Sequence, residues 1–459
     1  MSDPLNRRDF IKGAGALAVG AAIASVPRNV MGANDRVIVG GIGTGRQGTY
    51  DLQDFTRQPD VEIAAVCDVY EPNLRKAVFE SIGIGGPPEY PYPRPQTYKD
   101  FRQVLDRKDI DVIVVGTPDH WHPLVMVEAC KAGKDVYVEK PISHTLDEGK
   151  VMVDAARKHN RVVQVGTQQR SGRHFQEAVR LVQGGFIGKV SFVRTWNYSN
   201  DYPKGIGNPP DSDPPPGLDW DFWLGPAPKV QYNYNRFGVG PDRWSTFREF
   251  WDYAGGMMTD WGVHLMDIVQ WAMKVDGPDS ITASGGKFYI QDNAETPDTL
   301  QVTYQYSNPQ FVAVYENRWD NGNSMYDKGY GMEFHGTDAT LFIDRSGFKV
   351  FPEKAPVGVE GGQIISNRNR APAMEMKSDN NAHFAHVRNF LDCVKSRERP
   401  ISDIEIGHRS TSVCLLGNVA LRSKQRLEWD VENQTLKSGG PEAQRLLTRH
   451  YRAPWKLSA

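Results

Sequence analysis

Cysteine is scarce in this sequence, and its arrangement excludes common metal and redox sites. Only four of the 459 residues are cysteines, and none belongs to a CxxC pair. Such pairs are the usual mark of zinc sites and redox motifs. Cys67, Cys130, Cys393 and Cys414 lie in segments with strand or helix patterns, so we predict buried, reduced thiols.

An excess of charge of one sign is also missing. Lysine and arginine total 54, aspartate and glutamate total 56, and the formal net charge is -2. A balanced chain offers no electrostatic attraction for nucleic acid. The 44 glycines and 30 prolines follow no fixed period, which excludes collagen and solenoid repeats. We therefore expect a small-molecule partner and no nucleic acid.

A long hydrophobic run is absent, but the N-terminus carries a short one. Residues 6–12 contain the pair Arg7-Arg8, and a Gly/Ala-rich apolar stretch follows over 13–24. That stretch is well short of the roughly 20 residues that span a bilayer. It resembles a twin-arginine export signal, and residues 22–24 offer a cleavage site. We predict a signal peptide over 1–33, export to the periplasm or another extracytoplasmic compartment, and no stable membrane anchor after processing. An amphipathic N-terminal helix is the alternative, which the glycines disfavour.

Residues 34–166 predict a Rossmann-type, doubly wound parallel sheet within an α/β chain. Short β-branched runs alternate there with helical patterns, which is typical of strands covered by helices. The predicted strands are 37–41, 61–67, 112–116, 136–138 and 162–165, and the helices include 123–131 and 146–159. Thr145 is a plausible N-cap for the second helix.

Residues 167–459 predict an α+β domain with a large, mostly antiparallel open sheet, used for substrate binding and oligomerisation. A helix over 175–183 precedes strand patterns at 190–196, 280–289, 300–306, 311–317 and 340–343. A Pro- and Trp-rich excursion over 202–250 separates the first two strands. Further helices are predicted over 257–273, 384–396 and 406–423.

The first strand runs directly into a glycine turn, Gly43-Thr44-Gly45-Arg46-Gln47-Gly48. Glycines at this spacing let a pyrophosphate approach backbone amides, and the following helix N-terminus adds partial positive charge. Asp68 ends the second strand, where a carboxylate can accept hydrogen bonds from ribose hydroxyls. It favours NAD because it repels a 2'-phosphate, although Arg46 or Arg75 could make NADP possible. A glycine turn without a ligand is the alternative.

Three more segments follow predicted strands, where ligands of open α/β sheets bind. They are Thr117-Pro118-Asp119-His120-Trp121-His122, Glu139-Lys140-Pro141 and Thr167-Gln168-Gln169-Arg170. His120 and His122 have chelating spacing, but no further ligands stand at helical spacing nearby. We therefore predict turn and capping roles for them, and no metal site.

Four features occur in an order that resembles the glucose-fructose oxidoreductase, inositol dehydrogenase and rhizopine-catabolism (Gfo/Idh/MocA) family over essentially the whole mature chain. They are the glycine turn, Thr117-Pro118 with His122, Glu139-Lys140-Pro141, and Gly255-Gly256 leading to Asp260 and His264. The resemblance implies a Rossmann domain followed by an α/β domain that often forms dimers or tetramers. It also implies that Lys140 and His264 face the nicotinamide across the interdomain cleft. We assign the cofactor contacts to Gly43, Thr44, Gly45, Arg46, Gln47, Gly48, Asp68, Thr117, Pro118, His122, Glu139, Lys140 and Gln168.

The chemistry of alcohol oxidation favours the same residues. Hydride loss from carbon requires a base near neutral pH, for which histidine is best suited. Asp260 and His264 lie four residues apart on a predicted helix, so the carboxylate can orient the imidazole or bind a substrate hydroxyl. Lys140 can stabilise a developing alkoxide. These three residues are the predicted catalytic and substrate-binding group, to which we add Arg170 and Trp220 as substrate contacts.

Trp220 belongs to the aromatic segment 218–226. Such a segment can stack on the apolar face of a sugar, and it can equally form core or interface.

The predicted function is an NAD(P)-dependent oxidoreductase for a secondary CH-OH of a sugar, polyol or sugar derivative. Export implies a tightly bound cofactor that is regenerated in the same site, because a free nicotinamide pool is not expected outside the cytoplasm. One alternative resembles the NAD-dependent glycosidases of this family, with transient oxidation, elimination and re-reduction. Another is a non-catalytic sugar or dinucleotide sensor, which the intact Lys140, Asp260 and His264 disfavour.

Overall fold

A six-stranded parallel sheet forms the N-terminal part of the chain. The computed structural model describes residues 36–81, 94–238, 245–355, 358–360, 363–365 and 368–459, so the predicted signal peptide lies outside them. The elements are β1 Val37–Ile42, α1 Arg46–Thr56, β2 Val61–Cys67, α2 Glu71–Ser81, β3 Gln96–Tyr98, α3 Phe101–Leu105, β4 Val112–Val115, α4 His122–Lys131, β5 Asp135–Val138, α5 Leu146–Lys158 and β6 Val163–Val165. Their order in the sheet is β3-β2-β1-β4-β5-β6, and every pair is parallel.

Helices cover both faces of this sheet, which confirms the Rossmann-type prediction. Apolar side chains of α4 and α5, such as Leu124 and Met152, pack on one face. Leu52 and Phe55 of α1 pack on the other, where they meet Phe390 from a C-terminal helix. Strands buried on both faces are near-continuous apolar runs, as in β4, which is the pattern that made them predictable.

The C-terminal part contains a ten-stranded sheet, in agreement with the predicted α+β domain. Its elements are α6 Arg173–Gln183, β7 Val190–Tyr198, α7 Trp220–Leu224, α8 Tyr234–Phe237, α9 Gly256–Met273, β8 Ser280–Gly286, β9 Thr299–Ser307, β10 Gln310–Arg318, β11 Tyr330–Gly336, β12 Ala339–Asp344, β13 Gly347–Pro352, β14 Lys354–Ala355, β15 Gly358–Glu360, β16 Gln363–Ile365, β17 Arg368–Asn369, β18 Met374–Lys377, α10 Ala382–Ser396, α11 Ile404–Ser423, β19 Leu427–Asp430, β20 Thr435–Ser438 and α12 Gly440–Arg445. The sheet order is β18-β13-β12-β11-β7-β10-β9-β8-β19-β20. The pair β7–β10 is parallel, and the other neighbours pair antiparallel.

The largest apolar cluster lies between this sheet and the helices α6, α9 and α11. It includes Phe175, Leu265 and Leu416 from the helices and Leu300 and Phe334 from the strands. Burial alternates along β9, so its second face is left to solvent. Oligomerisation through such an open face stays a prediction.

The last residues of the chain return to the N-terminal domain. We call residues 446–459 the C-terminal segment. Arg449 forms an ion pair with Glu148 of α5, and Trp455 packs against Trp121 and Phe101. The segment therefore joins the two domains beside the carboxyl ends of the parallel strands.

Two further predictions concern thiols and membranes. The four cysteines are free and buried, as predicted. Within the described ranges, no helix has the length and apolar character needed to cross a membrane.

Candidate active site

A deep cleft opens at the carboxyl ends of the parallel strands, with walls from both domains. It encloses about 1620 Å³ of space, part of it open to solvent. The lining includes Gly43, Asp68, Thr117, His122, Glu139, Lys140 and Gln168 from the first domain and Arg248, Asp260, Trp261, His264, Arg345 and His383 from the second.

The glycine turn fits a dinucleotide phosphate group. Gly43 has a φ of +82°, and a Cβ there would lie 2.4 Å from the Thr117 backbone nitrogen. A Cβ on Gly48 would lie 1.9 Å from the carbonyl oxygen of Gly43, so these two positions exclude side chains. At Gly45, by contrast, a Cβ would meet nothing within 4 Å, and the residue lines the cleft. Its backbone, just before the free amides of α1, is open to an approaching phosphate.

Asp68 lies where the sequence predicts a ribose acceptor, and it also holds the glycine turn. Its Oδ2 accepts the backbone N-H of Thr44 at 2.8 Å, and its Oδ1 accepts that of Tyr70 at 2.8 Å. Burial raises the pKa of Asp68 against the lowering effect of these hydrogen bonds. Arg75 pairs with Glu71, whereas Arg46 lines the cleft and is exposed.

The turn after β4 carries two cleft residues with different tasks. Both ring nitrogens of His122 lie 2.7 Å from carbonyl oxygens, those of Pro141 and Thr117. This histidine ties two cleft loops together, and neither nitrogen is free for proton transfer. Asp119 also lines the cleft, and burial raises its pKa to about 7 despite the opposing effect of Arg248. Asp119 had no predicted role.

Glu139 and Gln168 form the floor next to Lys140. Gln168 Nε2 donates to Glu139 Oε1 at 2.7 Å and to the Tyr137 hydroxyl at 3.1 Å. Burial raises the pKa of Glu139 to about 7, with Lys140 opposing. The amide of Gln168 thus positions the Glu139 carboxyl next to Lys140.

Lys140 and Asp260 meet across the two domains. Lys140 Nζ lies 3.0 Å from Asp260 Oδ1, and Arg248 Nε lies 2.7 Å from the same oxygen. Burial opposes the charge of Asp260, but Lys140 and Arg248 lower its pKa to about 2. The carboxylate therefore binds these two cations, whereas we expected it to orient His264 or a substrate hydroxyl. Arg248 comes from the 202–250 excursion and was missed in the sequence.

His264 lies one turn after Asp260 on α9 and is a neutral imidazole. Burial and the nearby Lys140 and Arg345 lower its pKa well below the usual value. Its Nδ1 is buried with no hydrogen-bond partner in the described part of the chain. Nε2 is the nitrogen left to face the cleft, so this histidine has the protonation state of a base.

Two predicted substrate residues lie outside the cleft wall. Arg170 forms a buried bidentate ion pair with Asp267, at 2.8 and 3.0 Å from its Nε. Trp220 stacks on Trp223 in an apolar cluster and donates its indole N-H to the Val230 carbonyl. Their positions do not support substrate contact, and for Trp220 the core alternative describes what the structure shows.

His120, considered above as a potential metal ligand, has a packing role. His120 is buried between Trp223 and Tyr253, with its Nε2 3.1 Å from the Trp223 carbonyl oxygen. No group of three or more potential metal ligands occurs among the residues that the structure describes.

Three cleft residues besides Asp119 and Arg248 escaped the sequence analysis. Trp261 and His383 line the cleft near His264, and so does Arg345 from the turn between β12 and β13. Trp261 was detectable, because it lies three residues before His264 on the same helix. Arg345 and His383 carry no local signal, since only the fold brings them to the site.

Family models match both domains. One, described as the oxidoreductase family with an NAD-binding Rossmann fold, matches residues 37–167. The other, described as the C-terminal alpha/beta domain of the oxidoreductase family, matches residues 172–383 and 354–457. The chain belongs to the Gfo/Idh/MocA oxidoreductase family. Its Rossmann domain is an NAD-binding domain. A twin-arginine translocation signal matches residues 4–24, which supports export by that pathway.

Curated relatives of this family member match part of its length. A glycosyl hydrolase family 109 protein of Shewanella baltica is 27% identical over 209 residues, 40% of this chain and 44% of the relative. An alpha-N-acetylgalactosaminidase of Shewanella oneidensis is 25% identical over the same shares. The matched stretch thus spans less than half of these relatives.

Solved structures share the fold over most of the chain. A levoglucosan dehydrogenase in complex with NADH and levoglucosan has a TM-score of 0.61 at 15% identity, covering 86% of this chain and 99% of that one. An aldose-aldose oxidoreductase from Caulobacter crescentus, complexed with glycerol, has a TM-score of 0.60 at 18% identity, with the same coverage. At these identities the likeness concerns the fold alone.

Proposed function

We propose that the chain is an NAD(P)-dependent oxidoreductase acting on a secondary CH-OH of a sugar, polyol or sugar derivative. The observation that carries this proposal is the grouping of Lys140, Asp260 and a neutral His264 in the cleft that begins at the glycine turn. The sugar and polyol ligands of the two structural neighbours support the substrate class.

The nicotinamide supplies the hydride acceptor when NAD is bound. The glycine turn and Asp68 hold the dinucleotide, which leaves the cleft beyond Lys140 for the substrate. Lys140 donates a hydrogen bond to the alcohol oxygen and stabilises the negative charge that develops there. His264 Nε2 takes the hydroxyl proton while the C-H bond breaks, and it returns the proton in the reverse reaction. Asp260 keeps Lys140 in place, and burial keeps water from competing.

Export requires that the cofactor travel with the protein. Because the twin-arginine route carries folded proteins, we propose that NAD binds before export and remains bound in the periplasm. Each turnover then needs a second step in the same cleft that restores the cofactor. Oxidation of one sugar coupled to reduction of another meets this need.

A second candidate function is an NAD-dependent glycosidase. The curated relatives favour it by their names, and Asp119 offers a cleft carboxyl with a pKa of about 7. Such a carboxyl can protonate a leaving group near neutral pH. In this reaction oxidation would give a transient ketone, and the acidified neighbouring carbon would lose a proton as the leaving group is eliminated. Water would then add to the resulting double bond, and reduction of the ketone would restore the oxidised cofactor.

The test compares catalytic variants with the cofactor bound. His264→Ala is expected to lose about a hundredfold or more in turnover, because positioned proton transfer contributes roughly 10²- to 10⁴-fold. Lys140→Ala is expected to lose about as much, because it removes the charge that stabilises the developing alkoxide. Both are expected to retain NAD, measured by mass spectrometry of the released cofactor. Asp68→Ala is the matched control and should instead lose cofactor.

The products separate the candidates. A sugar that leaves reduced cofactor on the protein supports the oxidoreductase, and a glycoside that is cleaved without net reduction supports the glycosidase. Near wild-type turnover of both variants would contradict the catalytic assignment. Retention of NAD without turnover of any sugar or glycoside would favour the sensor.

A further inference from the structure

Arg345 is held at the end of the cleft next to His264. It lies in the turn between β12 and β13, and its guanidinium carbon is 4.9 Å from the ring centroid of Trp261. Its Nε donates to Gln169 Oε1 at 3.2 Å, and Gln169 Nε2 donates to the His264 carbonyl oxygen at 3.0 Å. The guanidinium is thus held at its Nε and against one aromatic face, and the residue lines the cleft.

Arg345 lies near the carboxylates of Asp260 and Glu139 but forms an ion pair with neither. Lys140 and Arg248 share Asp260, whereas Arg345 makes no ion pair within the described ranges. The side chain keeps an exposed surface, and its partial burial lowers its pKa against the raising effects of Tyr330, Asp260 and Glu139. An anionic ligand would supply the missing partner.

Two imidazoles and an indole ring near Arg345 are uncharged and suit a sugar. Burial and Arg345 lower the pKa of His383 to about 4, so its imidazole is neutral, as is that of His264. Trp261 adds an aromatic wall, and its ring centroid is 6.1 Å from that of His264. We call Trp261, Arg345 and His383 the arginine subsite. One sugar unit can contact this subsite and the base at the same time.

We propose that the arginine subsite binds a carboxylate of the substrate, so that the preferred substrate is a sugar acid. This inference rests on the proposed function and names its substrate class. A guanidinium presents parallel N-H groups that match the two oxygens of a carboxylate. A phosphate would bring about two negative charges, for which the subsite offers one cation.

The first measurement is binding to the holoenzyme by calorimetry, which does not depend on turnover. The probes are D-glucuronate with D-glucose, and D-galacturonate with D-galactose, with glucose 6-phosphate as the phosphate arm. Wild-type protein is expected to bind the acids more tightly than the neutral sugars. Arg345→Gln should weaken the acids about 10- to 100-fold, the effect of losing a charged hydrogen-bond pair, and change the neutral sugars less than about twofold.

Arg345→Lys is the matched control, because it keeps the positive charge and loses the parallel N-H groups of the guanidinium. It should fall between wild type and Arg345→Gln, and bound NAD should be equal in all three proteins. With a substrate that turns over, the loss should appear in KM and not in kcat.

Equal binding of acids and neutral sugars by wild type, or an equal loss for both in Arg345→Gln, would overturn the proposal. Tighter binding of the phosphate than of the acids would overturn the carboxylate assignment. Carboxylate-selective binding without oxidation would contradict the proposed function and leave the subsite supported.

Discussion

Asp260 is the residue on which the charge balance of the cleft depends. Lys140 Nζ and Arg248 Nε both contact its carboxylate, and Lys140 forms no other ion pair within the described ranges. We expect Asp260→Asn to lower the free energy of unfolding by about 3–5 kcal/mol at neutral pH, because it removes the buried carboxylate that both cations contact. Urea unfolding of the holoenzyme measures this.

Asp119→Asn is the matched control for that change. Its carboxyl lies in the same cleft, but with a pKa of about 7 it is partly protonated at neutral pH, so a smaller change is expected. The sign of the pH dependence also follows. The pKa of Asp260 in the folded protein is about 2, below its usual value of 3.8. Its stabilisation is complete above that value and is lost as pH falls toward 2. Equal effects of both substitutions would contradict this role.

Sequence spacing identified the residues of the site better than their partners. Asp260 and His264 were placed on one helix face correctly, because a spacing of four fixes the face. The spacing does not reveal what approaches that face from elsewhere, and Lys140 and Arg248 are what reach the carboxylate. Arg170 was expected at the substrate because it follows β6, but the buried Asp267 binds it instead.

At the scale of elements, the strands with strong apolar patterns were the predictable ones. The strand predicted over 61–67 has the same bounds as β2, and the structure contains both helices predicted near the C-terminus. Those helices begin two residues earlier than predicted, after Asn381 and Asp403, whose side chains cap them. β3 was missed because it has three residues, two of them exposed, and therefore no apolar run.

The C-terminal segment offers an element-scale prediction. Arg449 Nε lies 2.6 Å from Glu148 Oε1, and Arg449 Nη2 donates to the His120 carbonyl at 2.7 Å. Glu148 is buried and also accepts the backbone N-H of Thr145. We expect Arg449→Met to lower the free energy of unfolding by about 3 kcal/mol, because a buried carboxylate loses its counter-ion.

Arg445→Met is the matched control for the segment. Arg445 pairs with Glu442, but both side chains are at least half exposed, at 68% and 50%. Solvent screens the attraction between such exposed charges, so this substitution should have little effect on the free energy of unfolding. Chemical unfolding of the two variants under the same conditions makes the comparison. A loss of the same size in both would show that the segment contributes nothing through Glu148.

At the scale of the whole molecule, the two domains are joined by more than the chain connection. Phe390 and Leu391 of α10 complete the core on one face of the parallel sheet, together with side chains of α1. Gln164 of β6 donates to the His386 carbonyl at 2.8 Å. The cleft therefore has a fixed geometry, set by a C-terminal helix packed on the Rossmann sheet.

His386 gives this junction a dependence on pH. Its Nε2 donates to the Val165 carbonyl at 2.8 Å, and its Nδ1 accepts from the Ser171 hydroxyl at 2.8 Å, which is the neutral form. Burial lowers its pKa from 6.5 to about 3, although the Val165 hydrogen bond opposes this. Above pH 6.5 both folded and unfolded chains hold a neutral ring. Below pH 6.5 the unfolded chain gains a proton that the folded chain excludes. The free energy of unfolding therefore decreases as the pH is lowered.

A comparison of wild type with His386→Asn at two pH values measures the pH dependence that His386 causes. At about pH 7.5 the variant should be less stable by about 1–3 kcal/mol, because Val165 and Ser171 lose a buried partner. At about pH 5 that difference should shrink by about 2 kcal/mol, since each pH unit below 6.5 is worth about 1.4 kcal/mol. Urea unfolding at both pH values measures it, and the exposed His450→Asn should show no such change. A difference that stays constant from pH 7.5 to 5 would mean that His386 takes up its proton in the folded protein, and that the junction does not sense pH.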